Sequence, residues 1–357
     1  MKKYDLVIFI GRFQPFHNEH LAIAEKALEH GESLLFCIGS AYQPCTYKNP
    51  FRTNEIVANN DGPTVQNLIT QTMNDREYGD LFDFVAVEDA LTDNEWVESV
   101  QEEVKKYIDK NYIGSEKDLS IALIGCNKDE TTYYLDMFPQ WDSIEIPRIV
   151  NLSATMIREL YFVEEPNMNF VQGVVPSSVY KQLLQHKNSD WHGYVVGDRR
   201  FVEKYKSQFA TLPYPPVFVT TDAVVFQSGH VLVVRRKPHP GKGLLALPGG
   251  FLDAGKDKSL ENAMIRELRE ETGLKVPDPV LRGNIKEVKV VDTIDRSARG
   301  RTITHVYKIV LPNGKLPRVK GGNDPDGGTD KAFWLPFSDL KSWEFFEDHY
   351  RIIKNFI

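Results

Sequence analysis

Two histidines, His17 and His20, lie three residues apart in the segment Gly11-Arg-Phe-Gln-Pro-Phe-His-Asn-Glu-His20, between an apolar run and a helix-like sequence. That arrangement suits the handling of phosphate. A phosphate held where a strand turns into a helix meets the helix N-terminus, whose N–H groups and dipole favour anions, and Arg12, His17 and His20 add side-chain donors. A metal pair is the competing reading, but no third Cys, His or acidic ligand follows at a zinc-like spacing. A second stretch, Asn151-Leu-Ser-Ala-Thr-Met-Ile-Arg158, has Ser153 and Thr155 suited to a helix start and Arg158 one turn inside, within reach of an adjacent phosphate. Alone it reads equally as a capped helix carrying a surface arginine.

A different chemistry is written further along. Pro248-Gly-Gly-Phe-Leu-Asp-Ala-Gly255 precedes Arg266-Glu-Leu-Arg-Glu-Glu-Thr-Gly-Leu274, so Glu267, Glu270 and Glu271 stand at i, i+3 and i+4 on one helical side. Like charges so placed destabilise a bare helix, and a bound cation offsets the repulsion. Oxygen-only ligands favour Mg²⁺ or Mn²⁺. The competing reading is a solvated acidic face paired with Arg266 and Arg269.

The elements that must position these residues follow from hydrophobic period. Tyr4 to Ile10 reads as a buried strand, Gly11 permits the exit turn, and Leu21 to His30 has helical spacing. Ser33 to Ile38, Phe82 to Val87 and Leu119 to Ile124 read as strands, and Asn94 to Lys110 and Pro176 to His186 as helices. Such βα alternation implies a parallel, doubly wound sheet with ligands beyond the carboxyl ends of its strands. Residues 188–215 are polar and turn-forming, ending in Leu212-Pro-Tyr-Pro-Pro216, and are expected to join a domain at 1–187 to one at 216–357. The second domain reads as α+β. Its strands are expected at Val217 to Phe226, Val231 to Arg235, Ile285 to Ile294 and Thr302 to Leu311, and its helices at Ser259 to Thr272 and near Trp343 to Phe356.

With 357 residues and 41% of them hydrophobic, the chain is long enough for two cores. A net charge of -7 argues against general nucleic-acid binding and leaves small anions as partners. Cys37, Cys45 and Cys126 form no C-x-x-C pair, which suits a reducing compartment. No signal peptide or run of about 18 apolar residues is visible, so the cytoplasm is expected and a membrane is not.

The two phosphate-handling segments together resemble the paired signatures of the nucleotidyltransferase superfamily, His-x-x-His and Ser-x-Thr-x-x-Arg. The form Gly-Arg-Phe-Gln-Pro-Phe-His is most similar to the archaeal-type nicotinamide mononucleotide (NMN) adenylyltransferases, although Glu19 stands where that family has Gly. The resemblance implies a Rossmann-like domain in which Gly11, Arg12, His17, His20, Ser153, Thr155 and Arg158 bind ATP. Of these, Arg12, His17, His20 and Arg158 would clamp the charge developing as NMN phosphate attacks ATP. Further similar stretches are Asn49-Pro-Phe-Arg52, Thr92-Asp-Asn-Glu-Trp-Val97 and Gly125-Cys-Asn-Lys-Asp129, the last with Cys126 where His is usual. They imply NMN contacts at Arg52, Trp96, Lys128 and Asp129. A pyridinium over Trp96 gains stacking and cation-π attraction; a core tryptophan on the Trp96, Val100, Val104 face is the plainer reading.

The carboxylate helix and its glycine loop resemble the Nudix box, Gly-x5-Glu-x7-Arg-Glu-U-x-Glu-Glu-x-Gly-U, where U is bulky and apolar. The second half matches throughout; in the first, Lys256 occupies the Glu position counted from Gly250, and the gap to Arg266 is two residues longer. The resemblance implies metal ligation by Gly250, Glu267, Glu270 and Glu271, with Glu270 and Glu271 catalytic. Arg296, Arg299 and Arg301 are similar to ADP-ribose contacts of the family, and Asp324, Asp326 and Asp330 are general-base candidates. The expected chain is therefore a Rossmann-like α/β nucleotidyltransferase domain followed by an α+β Nudix domain, similar to bacterial fusions that handle ATP, NMN, NAD and ADP-ribose. Homo-oligomerisation stays open. So do a different phosphate acceptor for the first domain and a catalytically silent, metabolite-sensing second domain.

Overall fold

The computed structural model describes residues 2–54, 62–90, 92–112, 119–126, 135–147, 152–294, 296–320 and 329–357, with backbone alone at 329 and 330. The chain divides into two compact units, Met1–Val196 and Gly197–Ile357.

The first unit is built in chain order from β1 (Tyr4–Gly11), α1 (Asn18–His30), β2 (Gly31–Ile38), α2 (Val65–Asp75), β3 (Phe82–Ala86), α3 (Asp93–Asn111), β4 (Ile121–Cys126), β5 (Asp142–Ile146), α4 (Ala154–Tyr161), α5 (Met168–Val174) and α6 (Ser177–His186). Its five strands run parallel in the order β3-β2-β1-β4-β5. Successive strand side chains point to opposite faces, and the central strand shows why both faces are covered. Val7 and Phe9 pack with Ile23, Ala24 and Ala27 of α1, whereas Leu6, Ile8 and Ile10 pack with Val100 and Val104 of α3. This is the doubly wound sheet expected from sequence.

The expected junction at 188–215 holds a helix, α7 (Asp190–Ser207), across which the unit boundary falls. Trp191 and Val195, one turn apart, are both buried, and the Trp191 indole N–H donates to the Pro50 carbonyl at 2.8 Å. Buried apolar residues at helical spacing order a stretch whose composition is otherwise polar.

The second unit contains β6 (Phe218–Gln227), β7 (His230–Arg236), β8 (Leu245–Ala246), β9 (Gly249–Phe251), α8 (Leu260–Thr272), α9 (Asp278–Gly283), β10 (Ile285–Val291), β11 (Thr302–Val310), β12 (Thr329–Pro336) and α10 (His349–Lys354). The sheet is mixed, ordered β10-β11-β6-β7-β12, with β8 on β7 and β9 on β6. Here too the central strand alternates: Ala223 and Val225 face Met264, Ile265 and Leu268 of α8, while Val224 and Phe226 face Phe345, Ile352 and Ile353 on the other side. The helix expected near Trp343 to Phe356 is broken into a 3-10 turn at Ser342–Glu344 and α10. The break has a tertiary cause. Phe345 bridges to Leu245, and Phe346 N–H donates to the Leu245 carbonyl at 2.7 Å, which pulls this stretch onto a strand edge.

Leu268 is fully buried and joins α8 to the sheet. Leu268→Ala is expected to cost about 2–5 kcal/mol, read as a lower denaturant midpoint with unchanged slope.

Candidate active sites

In the first unit, the turn after β1 is shaped by Phe13, which adopts φ 52 and whose ring lies against Gly11; a Cβ at Gly11 would come within 2.8 Å of that ring. The left-handed residue is thus Phe13, and Gly11 provides room rather than the bend itself. Gln14 locks the turn by bracketing the backbone of Phe51: its Nε2 donates to the Phe51 carbonyl at 2.7 Å and its Oε1 accepts from Phe51 N–H at 2.9 Å. His17 then stands at the N-cap position of α1 without capping it by side chain. His17 is buried, and its ring stacks on that of His20 at 3.6 Å between centroids. Phe16 stacks on His20 at 5.6 Å, with Phe9 and Phe13 edge-on. The aromatic collar surrounds His20, and His17 is stacked on it. Glu19 is buried.

The second signature docks on this turn. Ser153 caps α4 by accepting from Met156 N–H at 3.2 Å, and Arg158 Nη1 donates to the Gln14 carbonyl at 2.7 Å while Nη2 donates to Thr155 Oγ1 at 3.1 Å. Arg158 is only 6% exposed, and its Nε is buried with no hydrogen-bond partner among the described residues. Burial, reinforced by the nearby positive charge of Arg12, lowers its pKa to about 10, which still leaves it charged at neutral pH. A buried guanidinium held by neutral acceptors keeps its charge for an incoming anion.

Trp96 is half-buried, edge-on to Phe138 at 5.8 Å, and packs with the core cluster on the sheet face opposite α1. Arg52 donates to the Gly62 carbonyl at 3.3 Å. Lys128 and Asp129 lie outside the described residues.

In the second unit, the carboxylates of the box separate. Glu267 and Glu271 are buried and line a cavity, whereas Glu270 is exposed. The reason is helical geometry, since neighbouring residues diverge by about 100°. Glu271 Oε2 accepts from Gly249 N–H at 2.9 Å, and Arg266 Nη1 bridges Glu267 Oε1 at 2.8 Å and Glu270 Oε2 at 2.9 Å. Among the described residues, no three His, Cys, Asp or Glu side chains gather as a metal cluster. A Cβ at Gly250 would lie 2.6 Å from the Glu267 carboxylate, which would have to shift.

Lys256 points to solvent, paired with Asp253 at 2.9 Å. The carboxylate missing at that position is supplied by its neighbour. Asp257 accepts from Arg266 through both oxygens, at 2.9 and 2.8 Å, so the inserted residues return an acid to the box arginine.

The three downstream arginines take three different places. Arg296 lines the cavity and forms with Asp348 a buried bidentate pair at 2.9 Å per contact, which braces the wall. Arg299 lines the cavity, its guanidinium 5.1 Å from the Phe251 ring centroid, and its Nε is buried with no partner among the described residues. Arg301 lies outside the cavity lining and pairs with Asp292. Asp324 and Asp326 lie outside the described residues, as does the side chain of Asp330.

Sequence reasoning missed Arg236, Glu347 and His349, all of which line the cavity. Arg236 sits over Phe346 at 3.9 Å and donates to the Pro240 carbonyl at 3.0 Å. His349 Nδ1 accepts from Leu247 N–H at 2.8 Å. The signals were present as an arginine ending an apolar strand and as the run Glu347-Asp348-His349, but a helical reading of 343–356 hid the turn that aims them inward.

Residues 8–160 match a cytidylyltransferase-like model and residues 217–356 a NUDIX domain model. Two enzyme classes thus share one chain. It is 33% identical to a nicotinamide/nicotinic acid mononucleotide adenylyltransferase of Acinetobacter baylyi over 52% of this chain and 94% of that protein. An ADP-ribose pyrophosphatase of Methanocaldococcus jannaschii is 33% identical over 39% of this chain and 72% of that protein. A crystal structure of a bifunctional NMN adenylyltransferase/ADP ribose pyrophosphatase from Francisella tularensis matches with TM-score 0.84 and 31% identity, covering 99% of this chain and 98% of that one. The same bifunctional protein complexed with AMP and a Mn ion matches with TM-score 0.81 and 30% identity, over the same shares of the two chains. The chain belongs to the family of bifunctional NMN adenylyltransferase/ADP-ribose pyrophosphatases.

Two outcomes follow from this geometry. Gly250→Ala must displace the Glu267 carboxylate and is expected to lower diphosphate hydrolysis by about tenfold or more, measured as product release while adenylyl transfer by the same preparation stays unchanged. Burial, aided by the positive charge of nearby arginines, lowers the His349 pKa to about 3. The unfolded chain therefore takes up a proton below its ordinary pKa of 6.5 that the folded state refuses until about pH 3, and stability falls with pH across that window. At pH 5 the His349 contribution is on the order of 2 kcal/mol. Denaturant unfolding of His349→Gln between pH 7 and 5 should show a loss smaller than wild type by that amount.

Proposed function

We propose that the first unit joins NMN to ATP, forming NAD and pyrophosphate, and that the second cleaves ADP-ribose to AMP and ribose 5-phosphate. Family membership supports both halves. For the first, the observation that carries the assignment is the buried Arg158 held on the Gln14 carbonyl at 2.7 Å, which joins the second signature to the His17/His20 turn. In the transfer, an oxygen of the NMN phosphate bonds to the α-phosphorus of ATP as the bond to the β-phosphate oxygen breaks. The attacking phosphate is already anionic, so no side chain has to remove a proton. Arg12, His17, His20 and Arg158 hold the phosphate oxygens where charge grows, with Ser153 and Thr155 shaping the helix end that seats them. Arg52, Trp96, Lys128 and Asp129 are proposed for the NMN side.

In the second unit, Glu267 and Glu271 present buried carboxylate oxygens to a cavity that also receives Arg299. This oxygen-donor set fits a hard divalent cation. Glu267 and Glu271 would hold it, with Glu270 at the rim; magnesium or manganese, when bound, neutralises the diphosphate and activates water. Arg299 and Arg296, both in the cavity lining, are proposed to meet the ADP-ribose, and Asp324, Asp326 and Asp330 remain proposed bases. ATP, NMN, NAD and ADP-ribose are the proposed partners, and the cytoplasm the proposed location; among the described residues no helix is long and apolar enough to cross a membrane. Glu270 turned toward Arg266 is the one observation favouring a non-hydrolytic, ADP-ribose-sensing second unit.

Incubating the full chain with NMN and ATP, and separately with ADP-ribose plus Mg²⁺ or Mn²⁺, decides both. His20→Ala is expected to lower kcat for NAD formation by about 10²–10³ with a smaller change in KM. Glu271→Gln should abolish AMP release and leave NAD formation intact. Wild-type protein that binds ADP-ribose but releases no AMP with either metal would establish the sensing alternative.

A further inference from the structure

Glu347 is the residue whose placement the activities above do not explain. It is a non-glycine residue at φ 47, in the left-handed region, and its side chain lines the same cavity as Glu267, Glu271 and Arg299. A β-carbon resists that conformation, so such a residue persists only where the surroundings impose it. They do so here from three sides. Phe346, just before it, is tied to the Leu245 carbonyl at 2.7 Å and carries Arg236 on its ring at 3.9 Å. Asp348, just after it, is held by Arg296 through two contacts of 2.9 Å. Glu347 itself accepts from Ala298 N–H through Oε1 at 3.0 Å, which fastens the turn that carries Arg299.

The charges explain why a carboxylate belongs there. Burial, with the positive charge of Arg299 beside it, lowers the Arg236 pKa to about 10, and the charge of Glu347 opposes this. We propose that Glu347 is a positioning residue of the ADP-ribose site: it fixes the 296–299 turn through Ala298 and holds the Arg236 and Arg299 guanidinium groups in the cavity, where they meet an anionic ligand. The strained backbone is the cost of placing that carboxylate. Burial holds the Glu347 pKa above the ordinary carboxylate value, with the Arg299 charge opposing. The inference rests on the assignment of ADP-ribose as ligand of the second unit.

Three variants of the full chain test it: Glu347→Gln, which keeps an acceptor for Ala298 but removes the charge; Glu347→Gly, which relieves the backbone and removes both; and Glu347→Asp. Binding of ADP-ribose is measured by calorimetry without metal, AMP release with Mn²⁺, thermal unfolding on each protein, and NAD formation as the control for intact protein. The Gly variant is expected to melt no lower than wild type yet bind ADP-ribose at least tenfold more weakly. The Gln variant should raise KM severalfold with kcat within about threefold, and the Asp variant should recover part of the binding. Wild-type affinity in the Gly variant overturns the inference, as does a loss of binding that only tracks a lowered melting temperature. Wild-type protein that binds ADP-ribose without cleaving it would refute hydrolysis and leave the inference standing; wild-type protein that neither binds nor cleaves it refutes both.

Discussion

Both sites depend on holding charged side chains inside the protein in fixed orientations. A buried ion is stable only when its hydrogen-bonding groups are satisfied, yet a counter-ion that satisfied it fully would leave nothing for a phosphate or a metal. The chain meets both demands by using backbone. Arg158 donates to the Gln14 carbonyl, Glu271 accepts from Gly249 N–H, Arg236 donates to the Pro240 carbonyl, and Glu347 accepts from Ala298 N–H. Each bond orients a charged group and leaves its charge in place.

The contrast with the neutralised pairs is instructive. Arg296 and Asp348 cancel each other in a dry environment, with side chains 4% and 2% exposed. Breaking such a pair leaves an unmatched buried charge, so it works as a strut, and it holds the turn between Arg296 and Arg299 against the start of α10. Arg266 plays the same part in the box, tying Asp257, Glu267 and Glu270 together and thereby holding the glycine loop to α8. Arg296 and Arg299 both line the cavity, but only Arg296 is tied to a buried carboxylate by a bidentate pair.

Much of the fold was legible in the sequence because its signals are local. The alternation in β1 and β6, the helical period of α1, α3 and α8, and the Ser153 cap each need only a short window to be read. What escaped depends on contacts between distant segments. Helix α7 follows from Trp191 reaching Pro50, and the broken C-terminal helix from Phe345 and Phe346 pairing with Leu245. Lys256 looked like a lost carboxylate by position, and only the bidentate contact of Asp257 with Arg266 shows where the acid went.

The sequence by itself determined the two chemistries, because His-x-x-His, Ser-x-Thr-x-x-Arg and the run of glutamates state which donor and acceptor atoms are available. Tertiary structure decided which of those atoms share a space. Spacing put Glu267, Glu270 and Glu271 on one helical side, but the helix must bury one stripe against a sheet, and that packing took Glu267 and Glu271 inward and left Glu270 out. The same burial brought Glu347 and His349, some eighty residues from the box, into the cavity wall. A motif specifies chemical groups, and only the packed chain specifies their distances and the dielectric in which their charges act.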